Sequence, residues 1–203
     1  MTEHPTLILA TNNPGKVREF RRLLQSCGFE ASTPAERDIT LDVDEIGSTY
    51  AENAALKAQA FADAAGGLAL ADDSGIEVDA LGGKPGLYSA RYGGPGLDDV
   101  GRTALLLTEL DGVPNERRTA RYRAIVALAW PKVTGRTPVM FEGVQEGTIA
   151  RAPRGDHGFG YDPVFVVDAS RTQAQISDAE KDAISHRAQA VRLACDYLRG
   201  MRT

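Results

Sequence analysis

Cysteine is scarce in this 203-residue chain: Cys27 and Cys195 are too few for a disulfide framework and lack the close spacing of a metal-ligand pair. A reduced, intracellular setting, the cytoplasm, is therefore expected. Long hydrophobic runs are also missing. The longest strongly apolar stretch, Ala124 to Trp130, is far short of the roughly 18 residues that suggest a membrane span, so no membrane partner is expected. The opening Met-Thr-Glu-His-Pro has neither the basic region nor the apolar core of a signal peptide. Basic charge is in deficit, with 23 Lys and Arg against 28 Asp and Glu and a net charge of -5. This excludes the broad basic stripe that nucleic-acid backbones require, and nucleic acid is not an expected partner. A small anionic ligand stays open, because local basic groups matter more than the total. With no repeat, low-complexity tract or linker, residues 1–203 read as one domain.

What is present is an alternation of short apolar runs and helical stripes. Thr6 to Ala10 has the pattern of a buried strand, and Thr11-Asn12-Asn13-Pro14-Gly15-Lys16 follows as a turn. Val17, Phe20, Leu23 and Leu24 then recur at helical spacing, with Pro14 early enough for a first turn. Thr49 with Glu52 predicts a capped helix to Ala65, stopped at Gly66-Gly67. Leu68 to Ala71 predicts a strand ending in a turn at Asp72-Asp73-Ser74-Gly75, with a second strand through Ile76, Val78 and Ala80. Val100 to Leu110 reads as a helix; Ala120 to Trp130 and Val139 to Ile149 read as strands, the latter interrupted near Gly143 and Gly147. Ser177 with Glu180 is a second capping-box pattern before a C-terminal helix that ends at Gly200. Helices at both ends with strands between them give an α/β sheet covered by helices.

Several segments carry chemistry. In the first loop, Lys16 and Arg18 fall in the opening turn of a helix, where cations are unfavourable unless an anion joins them. The loop is either a capped surface turn with a solvated lysine or a phosphate cradle using its amides, Asn13 and Lys16. Asp72 and Asp73 are hard oxygen ligands of the kind that Mg2+ shares with substrate phosphates, although a plain turn also uses Asp, Ser and Gly. Asp42, Asp44 and Glu45 are further carboxylates upstream. Lys57 lies at the edge of the Tyr50, Ala54, Phe61 stripe, so its ammonium either turns inward or snorkels to water. Gly158-Phe159-Gly160-Tyr161-Asp162-Pro163 offers flat aromatic faces for a nucleobase, with Asp162 as an acceptor, or simply packed aromatics at a strand entry. Lys181 and Ser185-His186-Arg187 supply donors that would favour carbonyl oxygens on a base, or are solvated.

These motifs together, with Leu81-Gly82-Gly83-Lys84-Pro85-Gly86-Leu87-Tyr88-Ser89-Ala90-Arg91-Tyr92, resemble the inosine/xanthosine triphosphate pyrophosphatases, in the same order from residue 6 to about 198. The resemblance implies a Mg2+-dependent homodimer that hydrolyses ITP, dITP and XTP to the monophosphate and pyrophosphate. It implies a mixed α/β fold with an elongated central sheet flanked by helices, and two lobes with the nucleotide in the cleft between them. By position, Thr11, Asn12, Asn13, Pro14, Gly15 and Lys16 hold the triphosphate, with Lys57 adding charge. Asp73 is the catalytic carboxylate, Glu45 and Asp73 are the metal pair, and Ser74 lies beside them. Phe159, Gly160, Tyr161 and Asp162 form the base pocket with His186 and Arg187, and Lys181 stands at its edge. Asn12 departs from the pattern, since many relatives have glycine there, which bears on the backbone freedom of the loop.

Overall fold

A computed structural model describes residues 6–201. β1 (Thr6–Leu9) leads into α1 (Pro14–Ser26), whose cap is Asn13 with Pro14 in the first turn. β2 (Glu30–Ser32) follows, then α2 (Tyr50–Ala65), β3 (Ala69–Val78), α3 (Asp99–Glu109), β4 (Thr119–Ala129), β5 (Val139–Ile149), β6 (Phe165–Val166), α4 (Asp178–Ile184) and α5 (His186–Gly200). The strand order is β2-β1-β3-β4-β5-β6. β1 runs parallel to both β2 and β3, whereas β5 and β6 are antiparallel, so the sheet is mixed.

The chain parts into two compact units. The first takes the chain up to Asp73, Ala124–Gly143 and the chain from Arg187 onward; the second takes Ser74–Arg123 and Val144–His186. The boundary falls inside β3, β4 and β5.

In the first unit the pleat sorts side chains onto two faces, because successive strand residues point opposite ways. Leu7, Leu9, Leu70, Val126 and Leu128 pack with Phe20, Leu23 and Leu24 of α1 and with Ala188, Val191, Ala194, Cys195 and Leu198 of α5. The alternate residues Ile8, Ala10, Ala69, Ala71, Ala127 and Ala129 pack with Ala54, Ala58, Phe61 and Ala62 of α2. Alanines dominate this second face, which brings α2 close to the sheet. The second unit has its own core of Ile76, Val78, Leu106, Leu110, Tyr122, Ile149, Tyr161, Val164 and Phe165.

Three sequence expectations are corrected. Asp72-Asp73-Ser74-Gly75 is not a turn: β3 runs unbroken for ten residues through it. The two carboxylates find buried partners, described below, and so do not need a solvent-exposed turn. The C-terminal helix is two helices. The capping box of Ser177 and Glu180 starts α4, with both reciprocal bonds formed, and the chain breaks at Ser185 before α5 begins. The expected interruptions of β5 at Gly143 and Gly147 do not occur. Gly147 instead marks a close approach, since a Cβ there would strike Val166 and Phe165.

Leu128 is fully buried in the larger core. Leu128→Ala is expected to lower the unfolding free energy by about 2–5 kcal/mol through lost burial and a residual cavity, measured by urea denaturation.

Candidate active site

The loop after β1 is shaped by its own side chains. Asn13 Oδ1 accepts from the amides of Gly15 (2.8 Å) and Lys16 (3.1 Å), and the Asn13 amide donates to Thr11 Oγ1 (3.2 Å). Asn12 needs no glycine-like freedom, because Asp38 is the one non-glycine with positive φ among the described residues. The cap occupies the first amides of α1. What the loop still presents is exposed Asn12, Asn13 and Pro14 above a half-buried Lys16.

Lys16 projects to β3, where its Nζ stands 2.9 Å from Asp72 Oδ1. Asp72 also accepts from Arg187 Nε (3.2 Å) and Nη2 (3.1 Å), while Arg187 Nη1 donates to Glu19 Oε2 at 2.5 Å. The guanidinium is buried and lies 5.7 Å from the centroid of the Phe20 ring. α1, β3 and α5 are thus tied by a buried cluster of two cations and two carboxylates. Burial alone would raise the pKa of Asp72, but Lys16, Arg187 and Lys57 outweigh it and hold the carboxyl well below the usual range. Burial lowers the pKa of Lys16, helped by Lys57 and Arg187, with Asp72 pulling the other way.

Asp73, next along the pleat, points to the opposite face. It follows Ala71 toward α2, and its Oδ2 accepts from Asn53 Nδ2 at 3.0 Å. The repulsion expected of adjacent carboxylates is thereby relieved by divergence. Burial is the main reason that the pKa of Asp73 is raised. The charge of Glu45 adds to it, while Lys57, Asn53 and Lys16 act against it. Lys57 turns inward, with its Nζ 2.6 Å from Glu45 Oε1. Ser74 follows on β3, half-buried.

In the second unit the hub is Asp162. Its Oδ2 accepts from Lys181 Nζ (2.5 Å) and the Phe159 amide (3.0 Å), and its Oδ1 from Tyr122 Oη (3.2 Å) and Gln173 Nε2 (3.1 Å). Gly158 and Gly160 have positive φ, and a Cβ on Gly158 would strike the Asp162 carboxylate. Lys181 Nζ lies 5.2 Å from the centroid of the Phe159 ring. The imidazole of His186 is buried and stacks on Tyr122 at 4.7 Å between centroids and 10° between planes. Gly160 is held by Asp99 through its amide (2.9 Å), and Tyr161 donates its hydroxyl to Ser89 O (2.9 Å).

Sequence reasoning therefore brought together residues that the structure sorts differently. Glu45, Lys57 and Asp73 share one face of the first unit, and Lys16 reaches Asp72 from the other. Phe159, Asp162, Lys181 and His186 gather in the second unit. Arg187, in the first unit, donates to Asp72 and Glu19. Asp162 is filled by protein donors rather than held open as an acceptor. Four contributors were missed. Glu19 sits three residues from Lys16 and Asn53 four from Lys57, spacings that place each pair on one helix face, so a helical wheel could have found them. Tyr122 and Gln173 carry no such signal.

A buried carboxylate of raised pKa near two lysines, beside a strand-loop-helix junction, suits the handling of a phosphate chain. The chain belongs to the Ham1 family, whose model matches residues 7–197. It is 46% identical to the dITP/XTP pyrophosphatase of Bacillus subtilis (strain 168), over 91% of this chain and 92% of that protein. Identity to the dITP/XTP pyrophosphatase of Symbiobacterium thermophilum is 51%, over 91% and 90%. A solved HAM1 protein from Coxiella burnetii superposes with a TM-score of 0.84 at 38% identity, covering 97% of this chain and 99% of that one.

The two aspartates predict opposite effects on stability. Asp72 has a folded pKa below its ordinary 3.8, so its contribution is fully present above that value and is lost as pH falls through the folded value. Arg187→Met, which removes a buried partner shared by Asp72 and Glu19, is expected to cost about 3–5 kcal/mol in urea denaturation at pH 7. Asp73 has a raised folded pKa, so its ionised form weakens the fold at neutral pH. Asp73→Asn should raise the urea midpoint at pH 7, and the gain should shrink as pH falls through the folded pKa; an unchanged midpoint would contradict this.

Proposed function

We propose that the protein hydrolyses ITP, dITP and XTP to the nucleoside monophosphate and pyrophosphate, clearing hypoxanthine and xanthine nucleotides from the nucleotide pool. The observation that carries this reading is Asp73: a buried carboxylate of raised pKa, flanked by Lys57, Asn53 and Glu45, in a chain whose relatives are dITP/XTP pyrophosphatases. The loop from Thr11 to Lys16 receives the phosphates through exposed polar side chains and the Lys16 ammonium, its first amides being occupied by Asn13. Lys16 and Lys57 offset the charge that develops on the phosphate oxygens.

Asp73 and Glu45 would hold a Mg2+ ion together with substrate oxygens. The donor set fits, since two hard carboxylates near enough for one to raise the pKa of the other favour a shared cation. When bound, the ion supplies charge neutralisation and lowers the pKa of water. Asp73 orients the attacking water and accepts its proton. The water oxygen bonds to the α-phosphorus, the bridging P–O bond breaks, and pyrophosphate leaves with the electron pair.

In the second unit, His186 and Lys181 read the base against the Phe159 ring. Donors aimed at O6 favour hypoxanthine and xanthine, whereas the amino group of adenine would leave them unpaired. Asp162 fixes Lys181 and the Phe159 turn. Arg187 holds Asp72, and with it the partner of Lys16.

Pyrophosphate release from XTP, dITP, ATP, dTTP and UTP, with and without Mg2+, tests this directly. XTP and dITP should dominate, and Asp73→Asn should lower kcat by about 100-fold or more with little change in KM. Full turnover in that variant would remove Asp73 from catalysis, and equal rates with dTTP would overturn the substrate class. The same reading makes the protein a cytoplasmic homodimer. Sedimentation at assay concentration should show twice the chain mass, and a fully active monomer would refute the dimer.

A further inference from the structure

A second cluster of positive charge lies in the second unit, among residues that belong to neither group described above. Where β5 ends and the chain continues past Ile149, a cavity of about 490 Å³ is lined by Asn115, Thr148, Arg151, Arg154, Val166 and Ser170, among others. Among the described residues Arg151 and Arg154 are its only charged lining residues. Behind it, Arg118 is 3% exposed and donates to the carbonyls of Ile149 (2.8 Å), Leu110 (2.8 Å) and Ala150 (2.9 Å). Two of those carbonyls belong to lining residues. Arg151 donates to Asn115 Oδ1 (2.8 Å) and to the Val113 carbonyl (3.3 Å).

Among the described residues the guanidinium groups of Arg118 and Arg151 therefore meet only neutral oxygens. Elsewhere in this acidic chain Arg21, Arg121, Arg171 and Arg187 each pair with a carboxylate. Burial, and then the nearby charge of Arg151, lower the pKa of Arg118, with Asp111 acting against them. Two cations that repel one another beside a cavity without an acid create a local positive potential that an anion would relieve. The site is also held in place before any ligand arrives. The Arg154 amide donates to Pro163 O (2.8 Å), and its carbonyl accepts from the Thr172 hydroxyl (2.6 Å). Thr148 and Ser170 add hydroxyl donors. Planar guanidinium forks match phosphate oxygens in pairs, and the volume falls in the range of small-molecule clefts of about 300–1,000 Å³ rather than that of a single ion.

We propose that the cavity beside Arg151 and Arg154 binds the phosphate group of a small phosphorylated molecule, at a site additional to the one assigned to the nucleotide substrate. The inference does not rest on the proposed activity, since no residue is shared. It is tested by titrating 15N-labelled protein separately with inorganic phosphate and pyrophosphate, against sodium chloride at matched ionic strength. Saturable amide shifts at Ala150, Ala152, Arg154 and Ser170 are expected. In Arg154→Gln and in Arg151→Gln the affinity read at these amides should fall by about tenfold or more, while the response of Gly15 and Lys16 is unchanged. Arg154 is exposed, so its variant keeps the test valid if Arg151→Gln fails to fold. No saturable shift at millimolar anion, an equal response to chloride, or unchanged affinity in Arg154→Gln would overturn the proposal.

Discussion

Everything in the first unit depends on the buried pairing of Lys16 and Arg187 with Asp72 and Glu19. It joins the first helix, the third strand and the last helix across 168 residues of sequence. A buried ion pair adds little net stability over an apolar core of the same shape, because desolvation offsets much of its attraction. Its effect lies in specificity. Each of the four groups is costly if any partner is absent, so α1, β3 and α5 have one arrangement in which all are satisfied. That arrangement aims Lys16 from the capped loop toward β3.

The pleat turns this constraint into a division of labour. Because Asp72 faces α1 and α5, Asp73 must face α2, where Asn53 and the Lys57–Glu45 pair await it. One carboxylate is driven below its usual pKa by cations and the other is raised chiefly by burial. Two identical side chains, adjacent in sequence, thereby acquire a structural role and a chemical one, set by the neighbours on each face. The second unit repeats the logic around Asp162, whose carboxylate is filled by four protein donors. It fixes Lys181, the Phe159 turn and Tyr122, and Tyr122 in turn stacks on His186.

Much of the scaffold was legible because it obeys local rules. Asn13 and Pro14, Thr49 and Ser177 mark helix starts through side-chain caps, and Gly66 marks a helix end by its positive φ. β2 was not foreseen, since three residues are too few to show a period of two. The Asp72–Gly75 turn was misread for the same kind of reason: four polar or small residues look like a chain reversal unless their buried partners, more than a hundred residues away in the case of Arg187, are known. Glu19 and Asn53 lie within one helical turn of predicted site residues and were within reach of a periodicity search; Tyr122 and Gln173 were not.

The sequence by itself determined the strand-loop-helix opening, the helix caps, the acidic character of the chain, and the ordered motifs that carry the family resemblance. These depend on neighbours three or four residues apart, or on residue identity alone. Only the tertiary structure decided that Arg187 pairs with Asp72 and Glu19, that Asp162 is filled by protein donors, and that among the described residues Arg118 and Arg151 meet neutral oxygens. A charged side chain takes its role from whichever partner burial brings to it, and that partner is chosen by packing across the whole chain.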